Sequence, residues 1–571
     1  MSPACGPSPV SPLARMPFAL RRLPVLRCDV LVVGSGVAGL SAAIAAAEHG
    51  AHVMLLSKGR LTDTNTEWAQ GGIAAALGRD DHPDLHAADT LRLGYGLNES
   101  ALVESITAAA PEAIAWLQRI GMQFDREPDG SLALGQEGGH RAARILHAGG
   151  TATGRELQRA LTQHARRHAG IDIYEHAFAV DLLRDAEGEA SALVSLVRAE
   201  SSAPWEPLVF EAAQIILATG GGGQIFRETT NPQSATADGL ALALRAGADL
   251  QNLEFVQFHP TILYLAGAAR HLISEVTRGA GGVLRDRQGL AFMAEVHLDA
   301  DLAPRDVVSR AIFRRMVETG DTHVFLDLTA VADAGSRFPS LARVCGIFGL
   351  DLQRAPIPVR PAVHYFVGGI AADADGRTSL PRLWAAGECA NNGFHGANRM
   401  GSNSLLEGLV QGRRAGERAA EDLRPRVRRW LSPALAGAMQ PRPPGADLNL
   451  LDITYSLKSL MTRQVGIERQ ASGLADAIER LDGWSGYLAR LGPFSPEGAE
   501  TANMVHVAQA LTRSALFREE SRGAHFRTDF PGVSPAWEAH TLVHPTEDGV
   551  RLSQKPLAAG ARAGETRRAR G

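Results

Sequence analysis

Residues 29–40 read DVLVVGSGVAGL, a short β-branched run followed by three glycines and the start of an alanine-rich segment. This order predicts a buried strand, a tight turn and a helix, the first half of a dinucleotide-binding βαβ unit. Gly34 permits the turn, Gly36 lets a pyrophosphate approach the backbone, and Gly39 allows the helix to pack on the strand. We therefore expect a pyrophosphate at the helix N-terminus. The same turn contains Ser35, Val37 and Ala38.

The strand predicted for residues 52–58, HVMLLSK, indicates which dinucleotide binds. In NAD sites an acidic residue near the end of this strand holds a ribose hydroxyl. Here Ser57 and Lys58 stand in its place. The sequence therefore disfavours a simple NAD dehydrogenase and favours FAD, with Lys58 as a cofactor contact.

The bulk composition is that of an ordinary soluble globular protein. The 571 residues are 45% apolar and 21% charged, with a formal net charge of −4, so no basic excess points to nucleic acid. A chain of this length is expected to form about two to four domains. Its four cysteines lack the spacing of metal ligands or redox pairs. We therefore expect no metal site and no iron–sulfur cluster, and a reducing cytoplasm fits best.

Two segments bear on membrane insertion and targeting. Residues 30–47 lack charge and are nearly long enough to span a bilayer, but strand, turn and helix account for them better. Residues 1–27 are rich in Pro, Ser and Arg without a long apolar core, which argues against a secretory signal. We expect a disordered extension, with translation from Met16 or an organelle transit peptide as alternatives.

Two further stretches are candidate cofactor contacts. Residues 62–72, TDTNTEWAQGG, end in Gln70-Gly71-Gly72, which suits either a backbone wrapped around a flavin ring or an ordinary turn. Asp238 precedes the helix predicted for residues 240–246. It would accept a hydrogen bond from a ribose hydroxyl or cap the helix, and the residue alone favours the cap.

Residues 383–408, LWAAGECANNGFHGANRMGSNSLLEG, form a second Gly-rich connection between an apolar strand and a helix. Such a long loop lets the backbone approach a large ligand closely, and a solvated surface loop is the alternative. Its polar residues would place a carboxylate, an imidazole and a guanidinium beside that ligand. They are Glu388, His395, Arg399 and Ser402, after which Ser404 and Leu405 open the helix.

The order of these motifs predicts an α/β protein with three parts. They are a Rossmann-like FAD-binding domain, an inserted α+β capping domain and a C-terminal helical domain. The helical domain follows a Pro- and Arg-rich linker and is predicted from helical periodicity. The predicted boundaries are 1–27 for the extension, 28–250 and 364–425 for the two parts of the FAD-binding domain, 251–363 for the cap, 445–535 for the helical domain and 536–571 for a disordered tail.

Polar residues that suit a dicarboxylate substrate lie in predicted loops rather than on charged helix faces. Arginine gives bidentate contacts to carboxylates, and histidine adds an oriented donor. A lone loop histidine is more often structural than functional, so the prediction depends on the combination. The candidates are His259, Ser274, Glu275, Arg305, His364 and Arg399, with a loop over residues 135–147 that contains Glu137, His140, Arg144 and His147.

Taken together, these motifs resemble the flavoprotein family of succinate dehydrogenase and fumarate reductase. The resemblance covers residues 28–531 through GSGVAGL, WAQGGIA, QFHPT, LAPRDVVSRAI, HYFVGGI, AAGECANNGFHGANRMGSNSLLEG and ESRGAHF. Asn65 stands where members with covalent flavin have histidine, which implies noncovalent FAD. Glu137 resembles a glutamate of the branch that oxidises L-aspartate, where it favours a substrate with an ammonium group. The Ala-rich segment between His140 and Arg144 departs from the family pattern.

The resemblance also implies a role for each site residue. Arg305 would transfer the proton, although a carboxylate clamp is the alternative because a guanidinium pKa lies above about 12. Glu275 would belong to the proton path. The substrate carboxylates would be held by two pairs, His364 with Arg399 and His259 with Ser274. The cofactor contacts carried over are the turn Gly34–Gly39, Lys58, Gln70–Gly72, Asp238, Glu388, Ser404 and Leu405.

The reaction implied is hydride transfer from Cα of L-aspartate to flavin N5, which gives iminoaspartate. Dioxygen or fumarate would accept the electrons, and the product would enter NAD biosynthesis through quinolinate, with functional coupling to quinolinate synthase. Two rivals remain at this point. One is a soluble fumarate reductase or succinate dehydrogenase flavoprotein, and the other is a flavin-binding protein without turnover.

Overall fold

The computed structural model describes residues 23–268, 271–423, 448–491, 494–546 and 549–558. Its strands are β1 (Val25–Val33), β2 (Val53–Leu56), β3 (Ile73–Ala74), β4 (Leu134–Gly135), β5 (Ile145–Leu146), β6 (Ile171–Tyr174), β7 (Ala177–Arg184), β8 (Ala190–Val197), β9 (Glu206–Leu217), β10 (Leu250–Gln251), β11 (Val256–Leu263), β12 (Val283–Arg285), β13 (Val324–Asp327), β14 (Ile357–Phe366), β15 (Gly369–Ala371), β16 (Leu383–Ala385), β17 (Ala390–Asn391), β18 (Ala539–Thr546) and β19 (Gly549–Pro556).

The α-helices are α1 (Val37–Glu48), α2 (Pro83–Leu93), α3 (Ser100–Arg119), α4 (Thr153–Arg167), α5 (Asp238–Ala246), α6 (Val276–Gly279), α7 (Met293–Val296), α8 (Arg305–Thr319), α9 (Ala334–Arg337), α10 (Pro339–Ile347), α11 (Asn403–Glu421), α12 (Leu450–Gln464), α13 (Ala471–Leu491) and α14 (Pro496–Phe517). Within the described ranges, no helix is long and apolar enough to cross a membrane.

The largest sheet contains the predicted dinucleotide-binding unit. Its strands lie in the order β6-β2-β1-β9-β8-β7, with β16 also paired to β9. The pairs β2–β6, β1–β2, β1–β9 and β9–β16 are parallel. The loops that follow β1, β9 and β16 therefore meet at one edge of the sheet. These loops contain the Gly34–Gly39 turn, the Gly cluster after residue 219 and the predicted site loop after residue 385.

Helices α1 and α11 lie in close contact because glycines remove side chains from their interface. A Cβ at Gly412 would come within 2.4 Å of the Ala38 carbonyl oxygen, and one at Gly416 within 2.2 Å of the Ala42 carbonyl oxygen. This packing fixes the N-terminus of α11 beside that of α1. Two helix N-termini, with their positive dipole ends, therefore lie near the same sheet edge.

At Gly39, helix α1 packs directly against the turn that contains Gly34, and this contact leads to a prediction about stability. A Cβ at Gly39 would lie 1.8 Å from the carbonyl oxygen of Gly34, so Gly39→Ala must displace backbone. We expect Gly39→Ala to destabilise the protein by about 3 kcal/mol and to abolish FAD loading. Thermal unfolding and flavin absorbance measure both effects. Gly483→Ala in α13, where an added Cβ meets no atom within 4 Å, should instead stabilise by up to about 1 kcal/mol.

The cap contains an antiparallel sheet in the order β11-β14-β13-β12. Helix α8 packs against β11 and begins with Arg305, and the Ser309 hydroxyl donates to the carbonyl oxygen of Phe258 at 3.0 Å. The predicted cap boundary at residue 363 falls inside β14, which continues to Phe366. The strand therefore carries His364 from the cap directly towards the FAD-binding part.

The C-terminal region differs from the sequence prediction in one respect. Helices α12, α13 and α14 form the predicted helical part, but the expected disordered tail is wrong for residues 539–546 and 549–556. These form a β18–β19 hairpin whose first strand pairs with β10 in the sheet β17-β15-β10-β18-β19. Thr541 N donates to Asn252 Oδ1 at 3.0 Å, and His544 Nδ1 lies 2.9 Å from Asp249 Oδ1. These polar contacts hold the hairpin on the cofactor-binding part.

Three expectations concern segments at the edges of the described ranges. The predicted N-terminal extension, residues 1–27, overlaps β1, since Val25–Arg27 pair with Val209–Glu211. Residues 1–22 of that extension lie outside the described residues, as does the predicted linker at 426–444. The final residues of the predicted tail, 559–571, lie outside as well.

Candidate active site

A cavity of about 320 Å³ opens at the carboxyl end of β1, between the FAD-binding part and the cap. Every residue with a cofactor or substrate role predicted from the sequence, except Gly39, lines it. Those predicted to contact the cofactor are Gly34, Ser35, Gly36, Val37, Ala38, Lys58, Gln70, Gly71, Gly72, Asp238, Glu388, Ser404 and Leu405. Those predicted to bind or convert the substrate are Glu137, His259, Ser274, Glu275, Arg305, His364 and Arg399.

The turn after β1 has the geometry that a pyrophosphate requires. Gly34 has φ +115°, and a Cβ there would come within 2.1 Å of the Ala218 carbonyl oxygen. Gly36 precedes α1 in an extended conformation without a capping side chain of its own, and the Thr66 hydroxyl accepts from Val37 N at 3.0 Å. Backbone N–H groups and the positive end of the helix dipole therefore line the cavity, as an anionic diphosphate group needs.

Asp238 does not cap α5, so the helix-cap interpretation is wrong. The capping position is Ala237, with φ +61° and no side-chain hydrogen bond. Asp238 Oδ2 instead accepts from Lys58 Nζ at 2.8 Å, and Oδ1 accepts from Asn503 Nδ2 at 2.8 Å. Burial lowers the pKa of Lys58, but Asp238 and Glu500 outweigh this effect and raise it.

Two residues of α14 complete this end of the site, and sequence reasoning missed both. Glu500 Oε1 lies 2.5 Å from Lys58 Nζ, and Asn503 holds Asp238. The C-terminal helical part thus supports the Asp238–Lys58 pair, which lies where a cofactor ribose is expected. No local motif marks this role, because the partners are brought together only by the docking of α14.

Glu388 lies deep in the cavity and contacts the residue that stands in place of a flavin-linking histidine. Asn65 Nδ2 donates to Glu388 Oε2 at 3.1 Å, and Phe366 N donates to Oε1 at 3.0 Å. An amide side chain cannot form the histidyl bond to flavin. The residues present therefore fit FAD held by noncovalent contacts.

The burial of Glu388 yields a pH prediction. Burial raises the pKa of this carboxyl group from 4.5 to about 7. Because the folded state binds the proton more tightly than the unfolded state, the apoprotein should lose stability as pH rises from about 4.5 to about 7. The loss should amount to about 3 kcal/mol. Glu388→Gln should flatten this part of the profile in thermal unfolding of apoprotein, and parallel profiles for the two proteins would contradict the prediction.

Arg305 is held by a carboxylate at the boundary of the cavity. Its Nε donates to Glu275 Oε1 at 2.6 Å, and Arg278 Nη2 lies 3.4 Å from the same oxygen. Burial raises the pKa of Glu275, but Arg305 and Arg278 outweigh it, so the net pKa is lowered. Burial lowers the pKa of Arg278. These side chains form a continuous row of charged groups that ends at Arg305.

The two cap histidines are neutral and oriented. His259 Nδ1 accepts from Thr261 N at 3.2 Å, which leaves the proton on Nε2. That Nε2 is buried without a partner among the described residues. His364 Nδ1 lies 2.8 Å from Thr230 Oγ1, and the two imidazole rings are 5.4 Å apart. Burial, reinforced by nearby arginines, keeps the pKa of each well below its ordinary value.

Arg399 supplies the second guanidinium. Its Nη1 donates to Ser404 Oγ at 3.1 Å, and its guanidinium lies 4.7 Å from the centre of the Tyr365 ring. Burial, followed by the charge of Arg305, lowers the pKa of Arg399 to about 10, so it is charged at neutral pH. Its buried Nε has no partner among the described side chains and backbone. A charged group with a free donor is suited to an anionic ligand.

Glu137 adds a carboxylate to this cationic end. Its Oε2 accepts from Ser402 Oγ at 2.8 Å. A Cβ at Gly401 would lie 2.9 Å from Glu137 Oε2 and 3.3 Å from Arg305 Nη2, so the carboxylate and the guanidinium flank the same point. The site therefore presents both signs of charge within one cavity.

Some candidates from the sequence do not line the cavity. His395 is buried and lies 2.9 Å from Glu407, and His147 is also outside. Arg144 is fully buried between Asp81 and Asp89, each at 2.8 Å, and fixes the loop that carries Glu137. Gly39 likewise serves helix packing rather than cofactor contact. The lining residues that sequence reasoning did not select include Asn65, Thr66, Trp68, Thr230, His271 and Tyr365.

Comparison with known proteins agrees with this geometry. A family model described as FAD binding domain matches residues 29–405, and one described as Fumarate reductase flavoprotein C-term matches residues 495–567. The FrdA chain of Escherichia coli quinol fumarate reductase has a TM-score of 0.85 and 30% identity, covering 94% of this chain and 97% of that chain. Mycobacterium smegmatis Sdh1 has a TM-score of 0.82 and 33% identity, covering 94% and 95%. Fold and site define an FAD-binding flavoprotein of the fumarate reductase class.

Sequence relatives identify the family within this class. The L-aspartate oxidase of Streptomyces coelicolor is 43% identical over 92% of this chain and 92% of its own length. Those of Nostoc sp. and Bacillus subtilis are 41% and 38% identical, covering 90% and 92% of this chain and 93% and 95% of their own lengths. The chain belongs to the L-aspartate oxidase family.

Proposed function

We propose that this protein oxidises L-aspartate to iminoaspartate with FAD as the redox cofactor. One observation supports this most directly. At one cavity, two arginines and two neutral histidines lie together with a carboxylate, Glu137, that faces Arg305 across Gly401. A substrate with two carboxylates and one ammonium group matches that distribution of charge.

The carboxylates are bound by two groups of donors. Arg399, with His364 beside it in the cavity, binds one carboxylate through the free guanidinium N–H and the imidazole. His259 donates its unpartnered Nε2–H to the other carboxylate, with Ser274 nearby in the same cavity wall. Charge-assisted hydrogen bonds of this kind are roughly twice as strong as neutral ones and orient the ligand. A dicarboxylate of four carbons is thereby held at both ends.

The ammonium group is recognised by Glu137. Ser402 donates to Oε2 and so orients the carboxylate. An ammonium ion pairs with this half-buried carboxylate, whereas the methylene group of succinate offers it no opposite charge. Glu137 therefore favours aspartate over succinate.

Arg305 handles the proton during turnover. The Glu275 carboxylate fixes its Nε, which directs the remaining N–H groups into the cavity. Glu275 and Arg278 extend the row of charged groups away from the substrate, so a proton that aspartate releases leaves along this row, and a proton given up by Arg305 to fumarate is replaced along it. The protein thus orients the substrate and moves its proton.

The Gly34–Gly39 turn would hold FAD, which would supply the acceptor for the hydride from Cα of the substrate and pass the electrons to dioxygen, giving hydrogen peroxide, or to fumarate, giving succinate. Iminoaspartate feeds quinolinate formation and hence NAD biosynthesis, which suggests functional coupling to quinolinate synthase. Three cysteines within the described ranges are buried and form no disulfide, in keeping with a reducing cytoplasm.

The experiment that tests this function is anaerobic flavin bleaching of FAD-loaded protein. L-Aspartate is expected to bleach the flavin, and fumarate or air is expected to restore its absorbance. Succinate at the same concentration should bleach far more slowly. Bleaching by succinate alone would instead support the second candidate, a soluble fumarate reductase or succinate dehydrogenase, which the similarity to FrdA and Sdh1 brings into consideration. Absence of bleaching by either would indicate a flavin-binding protein without turnover.

A further inference from the structure

Asp306 follows Arg305 on α8, and the mechanism above gives it no role. Its Oδ1 accepts from Asn398 Nδ2 at 3.0 Å, and both carboxylate oxygens accept from Tyr95 Oη, at 3.2 and 3.1 Å. Arg310, further along α8, opposes the rise in the pKa of Asp306 that burial causes. Asp306 therefore connects the cap helix to Asn398, the residue immediately before Arg399.

The hydrogen bonds continue from Asn398 to the guanidinium group of Arg305 and to the backbone carbonyl of Arg399. Asn398 Oδ1 accepts from Gln257 Nε2 at 2.8 Å. The same Gln257 Nε2 donates to the carbonyl oxygen of Arg399 at 2.7 Å, and Gln257 Oε1 accepts from Arg305 Nη1 at 3.2 Å. Both amide residues are buried, with 1% and 3% of their surface exposed. The chain thus runs from Arg305 through Gln257 and Asn398 to Asp306.

Every donor in this chain points towards Asp306, and that direction has a physical cause. A guanidinium group only donates hydrogen bonds, and an ionised carboxylate only accepts them. The two side-chain amides between them can each adopt two orientations. A reversed Asn398 would present its amide nitrogen to Gln257 and its oxygen to Asp306. A reversed Gln257 would then turn its nitrogen towards Arg305 and its oxygen towards the Arg399 carbonyl, and three contacts would be lost together.

We propose that Asp306 is a positioning residue for Arg305. By accepting a hydrogen bond from Asn398, it selects the orientations of the two side-chain amides. In those orientations Gln257 Oε1 accepts a hydrogen bond from Arg305 Nη1. The hydrogen bond that Nε of the same guanidinium donates to Glu275 Oε1 fixes that nitrogen. Together the two contacts determine the plane of the guanidinium group and direct Nη2 to the point near Gly401 that Glu137 also faces. This inference rests on the proposed function, because it assigns how Arg305 is presented to that substrate.

The test is a double-mutant cycle with Asp306→Asn and Gln257→Leu. An asparagine at 306 both donates and accepts, so it is compatible with either orientation of Asn398 and no longer selects one. We expect Asp306→Asn to lower kcat/KM for aspartate by about 30-fold in the wild-type background, mainly through kcat. In the Gln257→Leu background the chain is already interrupted, and Asp306→Asn should cost less than about threefold. The dissociation constant for FAD should remain unchanged.

Equal losses from Asp306→Asn in both backgrounds would overturn the proposal, because a merely structural effect is independent of Gln257. If Asp306→Asn fails to load FAD, Asn398→Ala replaces it in the cycle, with the same coupling expected and the same additive outcome overturning it. Gln214→Leu serves as the matched control. Gln214 is buried and makes two comparable hydrogen bonds, to Trp384 and Asp422, on β9. Gln214→Leu and Asp306→Asn should act independently, so the fold-loss in kcat/KM of the double variant should equal the product of the two single fold-losses.

The proposed function and this inference fail in different ways. If aspartate does not bleach the wild-type flavin, the function fails, and the cycle is then measured on fumarate reduction, where Arg305 faces the same hydrogen-bond chain. If wild-type protein oxidises aspartate and the cycle is additive, only the role of Asp306 is overturned.

Discussion

Arg305→Lys is expected to lower fumarate reduction by about a thousandfold and aspartate oxidation by only about tenfold. Reduction of fumarate requires the protein to deliver a proton to carbon, and general acid catalysis of this kind contributes about 10²- to 10⁴-fold. The α-amino group of aspartate can release its proton to water, so this substrate depends less on the protein. Lysine keeps the positive charge but loses the planar group that Glu275 and Gln257 hold.

The two rates are measured anaerobically on the same FAD-loaded protein. Flavin bleaching by aspartate gives the first, and reoxidation of dithionite-reduced protein by fumarate gives the second. Arg314→Lys is the matched control, because Arg314 lies on the same helix but contacts Glu468 and Phe526 rather than the cavity. It should leave both rates near those of the wild type. If Arg305→Lys lowered the two rates by the same factor, Arg305 would only bind a carboxylate, which is the alternative that the sequence left open.

Local sequence predicted the cofactor-binding part well because its constraints are local. The strand, the Gly turn and the helix after Asp29 each have a short-range cause. The strand is a β-branched run, Gly34 needs a positive φ, and Gly39 leaves no room for a side chain. The same holds for the long loop before α11, where glycines and polar residues replace regular structure. Elements of this kind can be predicted from a few neighbouring residues.

Long-range pairing could not be predicted in the same way. Arg144 and His147 have the same loop character as Glu137 in the sequence, yet Arg144 is enclosed by Asp81 and Asp89 and only Glu137 reaches the cavity. Glu500 lies in an ordinary helical pattern and becomes a site residue only because α14 docks beside Lys58. All the residues that the family resemblance assigned to the substrate line the cavity, but the resemblance gave no information about these supporting residues.

The β18–β19 hairpin was missed for a different reason. Its two strands are rich in polar residues, and an Arg-rich segment follows, so composition indicated disorder. Strand β18 is buried or half-buried over most of its eight residues and does not alternate between buried and exposed residues. Its stability comes from pairing with β10, a strand of only Leu250 and Gln251 that has no recognisable strand signal of its own. Strands that are stable only when they pair with each other show little strand pattern in either sequence segment.

Glu137→Gln is expected to lower kcat/KM for aspartate by about 100-fold while fumarate reduction stays within about threefold of the wild type. The carboxylate pairs with the substrate ammonium group, and a hydrogen bond to a charged group contributes about 1.5–3 kcal/mol. Glutamine keeps the size and can still accept from Ser402, so the change removes mainly the charge. Fumarate has no ammonium group and does not use that charge. Steady-state rates with each substrate, on protein with equal flavin content, measure the difference.

The matched control separates the charge of Glu137 from its placement. Ser402→Ala removes the hydrogen bond to Oε2 and leaves the charge, so it should lower kcat/KM for aspartate by about tenfold or less. If Glu137→Gln also weakened fumarate reduction by about 100-fold, the residue would hold the shape of the loop rather than select the substrate. If it left aspartate oxidation intact, the ammonium group would be recognised elsewhere. A gain in succinate oxidation alongside the loss with aspartate would be the clearest sign of its role, because removing the charge also removes the penalty for a substrate that cannot pair with it.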